Sequence, residues 1–237
     1  MLPFTFLICT ERSGSNLITK LFDSHPAFCG PSPTHLFRIL TRNRIKYGNL
    51  ENAENWKILC EDMAGLLEAK LGQWQRKFTK EELAENVTER KLSALLRYIF
   101  EEETAANGKK RAFVKENHAW AFLPFLLANF PEAKFVYLVR DPRDMALSYK
   151  KTLAQKAGIS EAVAIWQQDQ QASISAYLQL KEAGKIYLLT YEQLVEKPAE
   201  TLTEICSFLG ENFEEQMLGF HQNNLTKENA TPLQAWN

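Results

Sequence analysis

The chain has 237 residues, with 28 Lys plus Arg against 29 Asp plus Glu and a formal net charge of −1. That balance argues against a general nucleic-acid binder, which would carry a basic excess or stripe. With 45% hydrophobic and 24% charged residues, the composition is that of a globular chain rather than a disordered one.

The opening, Met1 to Arg12, lacks a basic n-region, and its apolar run stops at Glu11-Arg12, so a cytoplasmic location is expected. In that setting the N-x-Ser/Thr triplets at Asn86, Asn224 and Asn229 carry no weight. No apolar stretch approaches the roughly 20 residues of a membrane-spanning helix. Cys9, Cys29, Cys60 and Cys206 are scattered, with no C-x-x-C pair, which points away from a zinc site or disulfide framework and towards buried free thiols.

Residues 4–9 are a short apolar run ending in a polar, glycine-containing turn, the pattern of a buried parallel strand. Leu17, Ile18, Leu21 and Phe22 then follow helical spacing. Ala27 to Cys29 is a second strand candidate, stopped by Gly30-Pro31-Ser32-Pro33. From about 35 to 105 the pattern is helical. Trp56, Leu59, Met63, Leu66, Leu67 and Leu71 mark one stripe, and Leu92, Leu95, Leu96, Ile99 and Phe100 another. Thr79-x-x-Glu82 forms a capping-box pattern between them. Asn107-Gly108 ends this stretch, which predicts a helical insertion at about 41–105 within one domain spanning 1–237.

Alternation then returns: strand 112–115, helix 122–130 closed by Pro131, strand 134–139, and a helix from Pro142 to about Gln155. Ser160 is the expected cap of a long helix ending at Gly184, before a strand at 185–189. A helix follows from Pro198 to Gly210, and the tail 222–237 is polar. Strands alternating with helices predict a central parallel sheet flanked by helices, an α/β fold.

Ligands of such sheets bind beyond the carboxyl ends of the strands. Two strand ends carry unusual residues. After the first strand comes Thr10-Glu11-Arg12-Ser13-Gly14-Ser15-Asn16-Leu17, a small-residue loop running into a helix N-terminus. Its N–H groups, hydroxyls and Arg12 favour an anion; a plain Ser/Asn helix cap is the simpler reading. After the 134–139 strand comes Arg140-Asp141-Pro142-Arg143-Asp144, with Ser148 two helical turns on; an exposed salt-bridge turn is the simpler reading there. The first loop lacks G-x-x-x-x-G-K-[ST], so no phosphate-loop lysine is present.

Together these segments resemble the two cofactor motifs of the sulfotransferases that use 3′-phosphoadenosine 5′-phosphosulfate (PAPS). Residues 10–17 are similar to that family's 5′-phosphosulfate loop, and 137–148 to its 3′-phosphate motif. Tyr191-Glu192-Gln193-Leu194, through Pro198 to Phe208-Leu209-Gly210, resembles a third, mainly structural stretch. The resemblance covers 1–40 and 110–220 and implies a P-loop-containing nucleotide-hydrolase-like fold. It implies that Arg12, Ser13, Gly14, Ser15, Asn16 and Leu17 hold the 5′-phosphosulfate, and that Arg140 and Ser148 hold the 3′-phosphate. PAPS would be co-substrate, 3′-phosphoadenosine 5′-phosphate (PAP) the product, and no metal would be needed.

The acceptor hydroxyl or amine must lose a proton to a base. Three candidates stand open. His35 leads, as the base-type side chain in the loop near which related members place a glutamate. His118 is second, in a K-x-x-H arrangement one residue longer than the family's K-x-H. Glu116 is third. By the same resemblance Lys115 lies near the transferring group and neutralises charge on the bridging oxygen, and Arg12 counts among the catalytic residues. His25, in a turn before Pro26, reads as structural, and His221 as surface. Trp166, at helical spacing with Ile165 and Asp169, reads as core or rim. Lys150, Lys151 and Lys156 read as a solvated helix face. Carbohydrate, lipid, peptide and small-alcohol acceptors all fit, and the sequence does not fix the oligomeric state. The competing readings are a degenerate fold that binds nucleotide without catalysis and a nucleotide kinase.

Overall fold

A computed structural model describes residues 1–69, 74–150 and 158–221. The elements run β1 (Phe4–Cys9), α1 (Ser15–Asp23), β2 (Phe28–Cys29), α2 (Leu36–Asn43), α3 (Ala53–Ala69), α4 (Lys80–Asn86) and α5 (Leu92–Ala106). There follow β3 (Arg111–Lys115), α6 (Leu123–Asn129), β4 (Lys134–Val139), α7 (Pro142–Lys150), α8 (Ile159–Glu182), β5 (Ile186–Thr190), α9 (Tyr191–Glu196) and α10 (Pro198–Leu209). The five strands form one parallel sheet in the order β2-β3-β1-β4-β5.

β1 is central, and all six of its residues are buried. Successive side chains of a strand point to opposite faces, which divides the core in two. Phe4, Phe6 and Ile8 face a cluster drawn from α2 to α6 and α8; Leu7 and Cys9 face a second cluster with α1, α9 and α10. The helices between β2 and β3 pack into the first cluster through Leu36, Phe37, Trp56, Leu59, Met63, Leu95 and Ile99. The second apolar stripe, Leu92 to Phe100, is buried throughout; in the first, Trp56, Leu59 and Met63 are buried while Leu66 and Leu67 are partly so.

Several local expectations need correction. The long helix α8 is not capped by Ser160: Gly158 is its N-cap, and no side chain bonds the first turn. Thr79 does cap α4 by accepting the Glu82 N–H at 3.2 Å. The box is not closed, however, because the Glu82 carboxylate turns to Arg76 and Tyr98 instead. The stretch 119–130 opens with a 3₁₀ turn, Ala119–Phe122, before α6. The sequence reading had no helix at 191–196, yet α9 forms there behind a complete capping box between Thr190 and Gln193. Leu71, the helix end near Gln155, Lys151, Lys156, Asn224, Asn229 and the tail lie outside the described residues. Among those described, no helix is long and apolar enough to cross a membrane.

Candidate active site

The parallel sheet sends the carboxyl ends of β1, β3 and β4 to one edge, which brings together motifs more than 100 residues apart. Three described non-glycine residues have left-handed backbone angles: Arg12 (φ 67°), His35 (φ 56°) and His118 (φ 60°). Each follows a strand end, and each is a catalytic candidate from the sequence. Such conformations cost about 1–2 kcal/mol apiece and persist where the surroundings impose them.

The first loop is not a Ser/Asn cap. Gly14 is the N-cap of α1 with φ 91°, and no side chain bonds the first turn. The leading N–H groups of a helix have no intrahelical acceptor, so this terminus suits an anion. Gly14 is required twice over. Its φ disfavours any side chain, and a Cβ there would sit 2.2 Å from Cδ2 of Tyr191. The space beside Gly14 thus belongs to the Tyr191 ring. Ser13 Oγ is buried with no hydrogen-bond partner among the described residues. Asn16 accepts from the Lys115 ammonium at 2.5 Å.

The 10–17 loop and the 137–148 segment meet directly. The Arg12 guanidinium donates to Ser148 Oγ through Nε at 3.1 Å and a terminal nitrogen at 3.0 Å. Arg140 donates to the Arg12 carbonyl at 3.1 Å, and its guanidinium carbon lies 4.3 Å from the centre of the Tyr191 ring. Its Nε is buried without a described partner. Glu192 accepts the Asp141 N–H at 3.1 Å. The third, mainly structural stretch therefore buttresses the second motif. Asp141 and Arg143 do form the exposed salt bridge of the simpler reading, at 2.6 Å. Hydrogen bonds from Arg143 pull the Asp141 carboxyl down to about 2. Arg140 turns inward instead.

Glu11 ties two more elements to the loop, accepting from Asn117 at 3.1 Å and from the Tyr149 hydroxyl at 3.2 Å. Burial lowers the Lys115 ammonium from its ordinary range, with the Arg12 charge acting in the same direction. Burial pushes the Cys9 thiol up, away from a reactive thiolate.

The three base candidates fall into two groups. Glu116 is 1% exposed, and its Oε1 accepts the Phe37 N–H at 3.1 Å. Phe37 lies in the first turn of α2, whose N-cap, His35, makes no side-chain cap bond. Glu116, just after β3, thus caps α2, the helix that follows the neighbouring strand β2. His35 Nδ1 is 3.6 Å from the other Glu116 oxygen. His118 stands apart, with Nδ1 3.1 Å from Asp169 Oδ1 on α8. The sequence reading gave Asp169 no role: only the packing of α8 over the strand ends shows its partner. His25 is structural, accepting the Ala27 N–H on Nδ1 and donating from Nε2 to the Asn212 carbonyl. His221 is exposed, and Trp166 packs on Met145, Ala146, Tyr149 and Ala162. Among the described residues, no group of three or more His, Cys, Asp or Glu could hold a metal ion.

The parallel α/β sheet thus joins two loops, 128 residues apart in the chain, at the carboxyl ends of β1 and β4. The model of the sulfotransferase family matches residues 3–215, and the chain belongs to that family. It is 25% identical over 217 residues to protein-tyrosine sulfotransferase 1 of Danio rerio, covering 88% of this chain and 53% of that one. The chain spans about half the length of the curated relatives it matches. The sulfotransferase domain of the Synechococcus PCC 7002 olefin synthase superposes with a TM-score of 0.64 at 22% identity, covering 92% of this chain and 77% of that one. Mouse sulfotransferase SULT7A1, solved with PAP, gives 0.52 at 14% identity, covering 99% and 72%. These structures share the P-loop-like fold of sulfotransferases.

Proposed function

We propose that the chain transfers the sulfuryl group of PAPS to a hydroxyl or amine acceptor at the carboxyl ends of β1, β3 and β4. One observation carries the reading: Arg12 and Arg140, from two distant motifs, converge on Ser148 and the Arg12 carbonyl. Two polar atoms there, Ser13 Oγ and Arg140 Nε, are buried with no described partner. Buried polar atoms are nearly always satisfied, and phosphate oxygens would satisfy both. The residues therefore fit a nucleotide with phosphates at two positions. The PAP bound to the mouse relative supports the same class of ligand.

Bound PAPS supplies the sulfuryl group: sulfur bonds to the acceptor oxygen or nitrogen as its bond to the bridging oxygen breaks, and PAP leaves with that electron pair. The protein's own residues do the rest. Ser13 to Leu17 hold the 5′-phosphosulfate on the N-terminus of α1. Arg140 and Ser148 hold the 3′-phosphate, Arg140 as a forked, charged donor. Arg12 bridges the two sites. Lys115, held by Asn16, is placed to offset charge on the bridging oxygen. His118 takes the acceptor proton. Glu116 is committed to the α2 terminus, and His35 lies against Glu116.

Calorimetric titration of PAP into wild type and Arg140→Ala tests the reading. Removing one partner of a buried charged contact costs about 2–5 kcal/mol, so the affinity falls by 30-fold or more. An unchanged affinity removes Arg140 from the site.

A further inference from the structure

We infer that Asp169 is the positioning residue for His118, and that the two form a proton-accepting dyad for the acceptor; this rests on the transfer reading above. His118 follows β3 and Asp169 lies in the middle of α8, 51 residues later, with 3.1 Å between Nδ1 and Oδ1. The Asp169 side chain is 6% exposed, and that of His118 is 24% exposed.

An ionised carboxylate only accepts hydrogen bonds. Nδ1 must therefore carry the hydrogen, and the free lone pair falls on Nε2 of a ring that reaches solvent. That tautomer leaves Nε2 able to accept a proton from an acceptor hydroxyl. The proton of the acceptor O–H goes to Nε2, the acceptor oxygen keeps the electron pair it needs to attack sulfur, and Nδ1–H stays with Asp169. The carboxylate then faces an imidazolium.

The surroundings support a role for that charge. Asp169 Oδ2 is buried with no hydrogen-bond partner among the described residues. A buried carboxylate with one neutral partner is poorly compensated, and the protonated ring supplies the missing counter-charge. The helix is held at this point: Gln170 donates to Thr10 Oγ1 at 2.9 Å and accepts from the Tyr137 hydroxyl at 2.5 Å. α8 is thereby pinned to β4 and to the end of β1, one residue from Asp169. A simple tether of helix to sheet is already supplied by Gln170.

The test uses the full chain as wild type, Asp169→Asn, Asp169→Glu and Gln170→Leu. Nitrogen-15 NMR of histidine-labelled protein reads the His118 tautomer without turnover. Wild type is expected to show Nδ1–H alone. In Asp169→Asn the amide can accept from Nδ1–H or donate to a bare Nδ1, so a mixture appears. With an acceptor that supports PAP release, Asp169→Asn loses 100-fold or more in kcat, its KM for PAPS stays within threefold, and Asp169→Glu recovers part of the rate. Gln170→Leu lowers Tm yet keeps the tautomer and stays within threefold in kcat. An Nε2–H tautomer in wild type, or an unchanged kcat in Asp169→Asn, overturns the dyad. So does a kcat loss in Gln170→Leu equal to that of Asp169→Asn. Absent PAP binding in wild type would defeat the transfer reading instead, and the tautomer distinguishes the two failures.

Discussion

Replacing Gly14 with alanine should damage both the fold and the nucleotide site, and the structure separates the two costs. A left-handed alanine costs about 1–2 kcal/mol. At Gly14 the new methyl would also lie 2.2 Å from Cδ2 and 2.5 Å from Cε2 of Tyr191, and relieving such overpacking costs about 1–3 kcal/mol more. The ring must move, and Arg140 stacks on that ring. Gly108 is the control: its φ is +66°, but nothing lies within 4 Å of a Cβ there. Only the backbone cost applies to Gly108→Ala. At about 2–4 °C per kcal/mol for a chain of this size, Gly14→Ala should melt roughly 5 °C below Gly108→Ala. Thermal unfolding by circular dichroism measures the difference. PAP titration should show weakened binding in Gly14→Ala and unaltered binding in Gly108→Ala. Equal melting temperatures and equal affinities would refute the account of how Gly14, Tyr191 and Arg140 are coupled.

Two further outcomes follow from the geometry. Glu116→Ala leaves a buried N–H of α2 without its acceptor and should cost about 1–3 kcal/mol, whereas Glu116→Gln retains an acceptor oxygen and should melt close to wild type. A Glu116→Gln that folds normally but loses all turnover would return the proton-accepting role to Glu116. The second outcome concerns acid. Asp141 is held at about 2, below its value in an unfolded chain. Its contribution to stability is therefore present above the ordinary carboxylate range and lost as pH falls towards 2. The pair is exposed, so the effect is small. Arg143→Ala should flatten that part of the stability profile, measured by urea unfolding between pH 5 and pH 2.5, and an unaltered profile would show that Arg143 does not hold Asp141.

The parts of this protein that were legible in the sequence are those set by local pattern. β1 is apolar except for Thr5 because both faces of a central parallel strand are buried, and it ends where the apolar run ends, at Cys9. β4 is equally plain, and with it the placement of Arg140 at a strand end. Helix starts marked by weak chemistry were less legible. Ser160 looked like a cap, but Gly158 occupies that position, since a long helix packed by its own apolar face does not depend on one side-chain bond. α9 is only six residues long, too short for an apolar period, although Thr190-x-x-Gln193 carries its capping signature.

The site divides in the same way. Ser13, Gly14, Arg140 and Ser148 stand in contiguous motifs, so the sequence alone nominates them as candidates. The reason for Gly14 was not, because Tyr191 meets it from 177 residues away. Asp169 carries no sequence signal at all. It is one of three acidic residues on α8, in no motif, and its contact with His118 is created only by the tertiary packing of that helix. That His35 and Glu116, weighed as rivals, are neighbours was likewise invisible in one dimension.

The most direct test of the account is a calorimetric comparison, in EDTA, of PAP with ADP, together with ATP and Mg²⁺ in a parallel run. Tight binding of PAP without metal, lost when the 3′-phosphate is absent, is the predicted result. Preference for ATP with Mg²⁺, or equal affinity for PAP and ADP, would contradict the assignment of Arg140 and Ser148 and with it the proposed sulfuryl transfer.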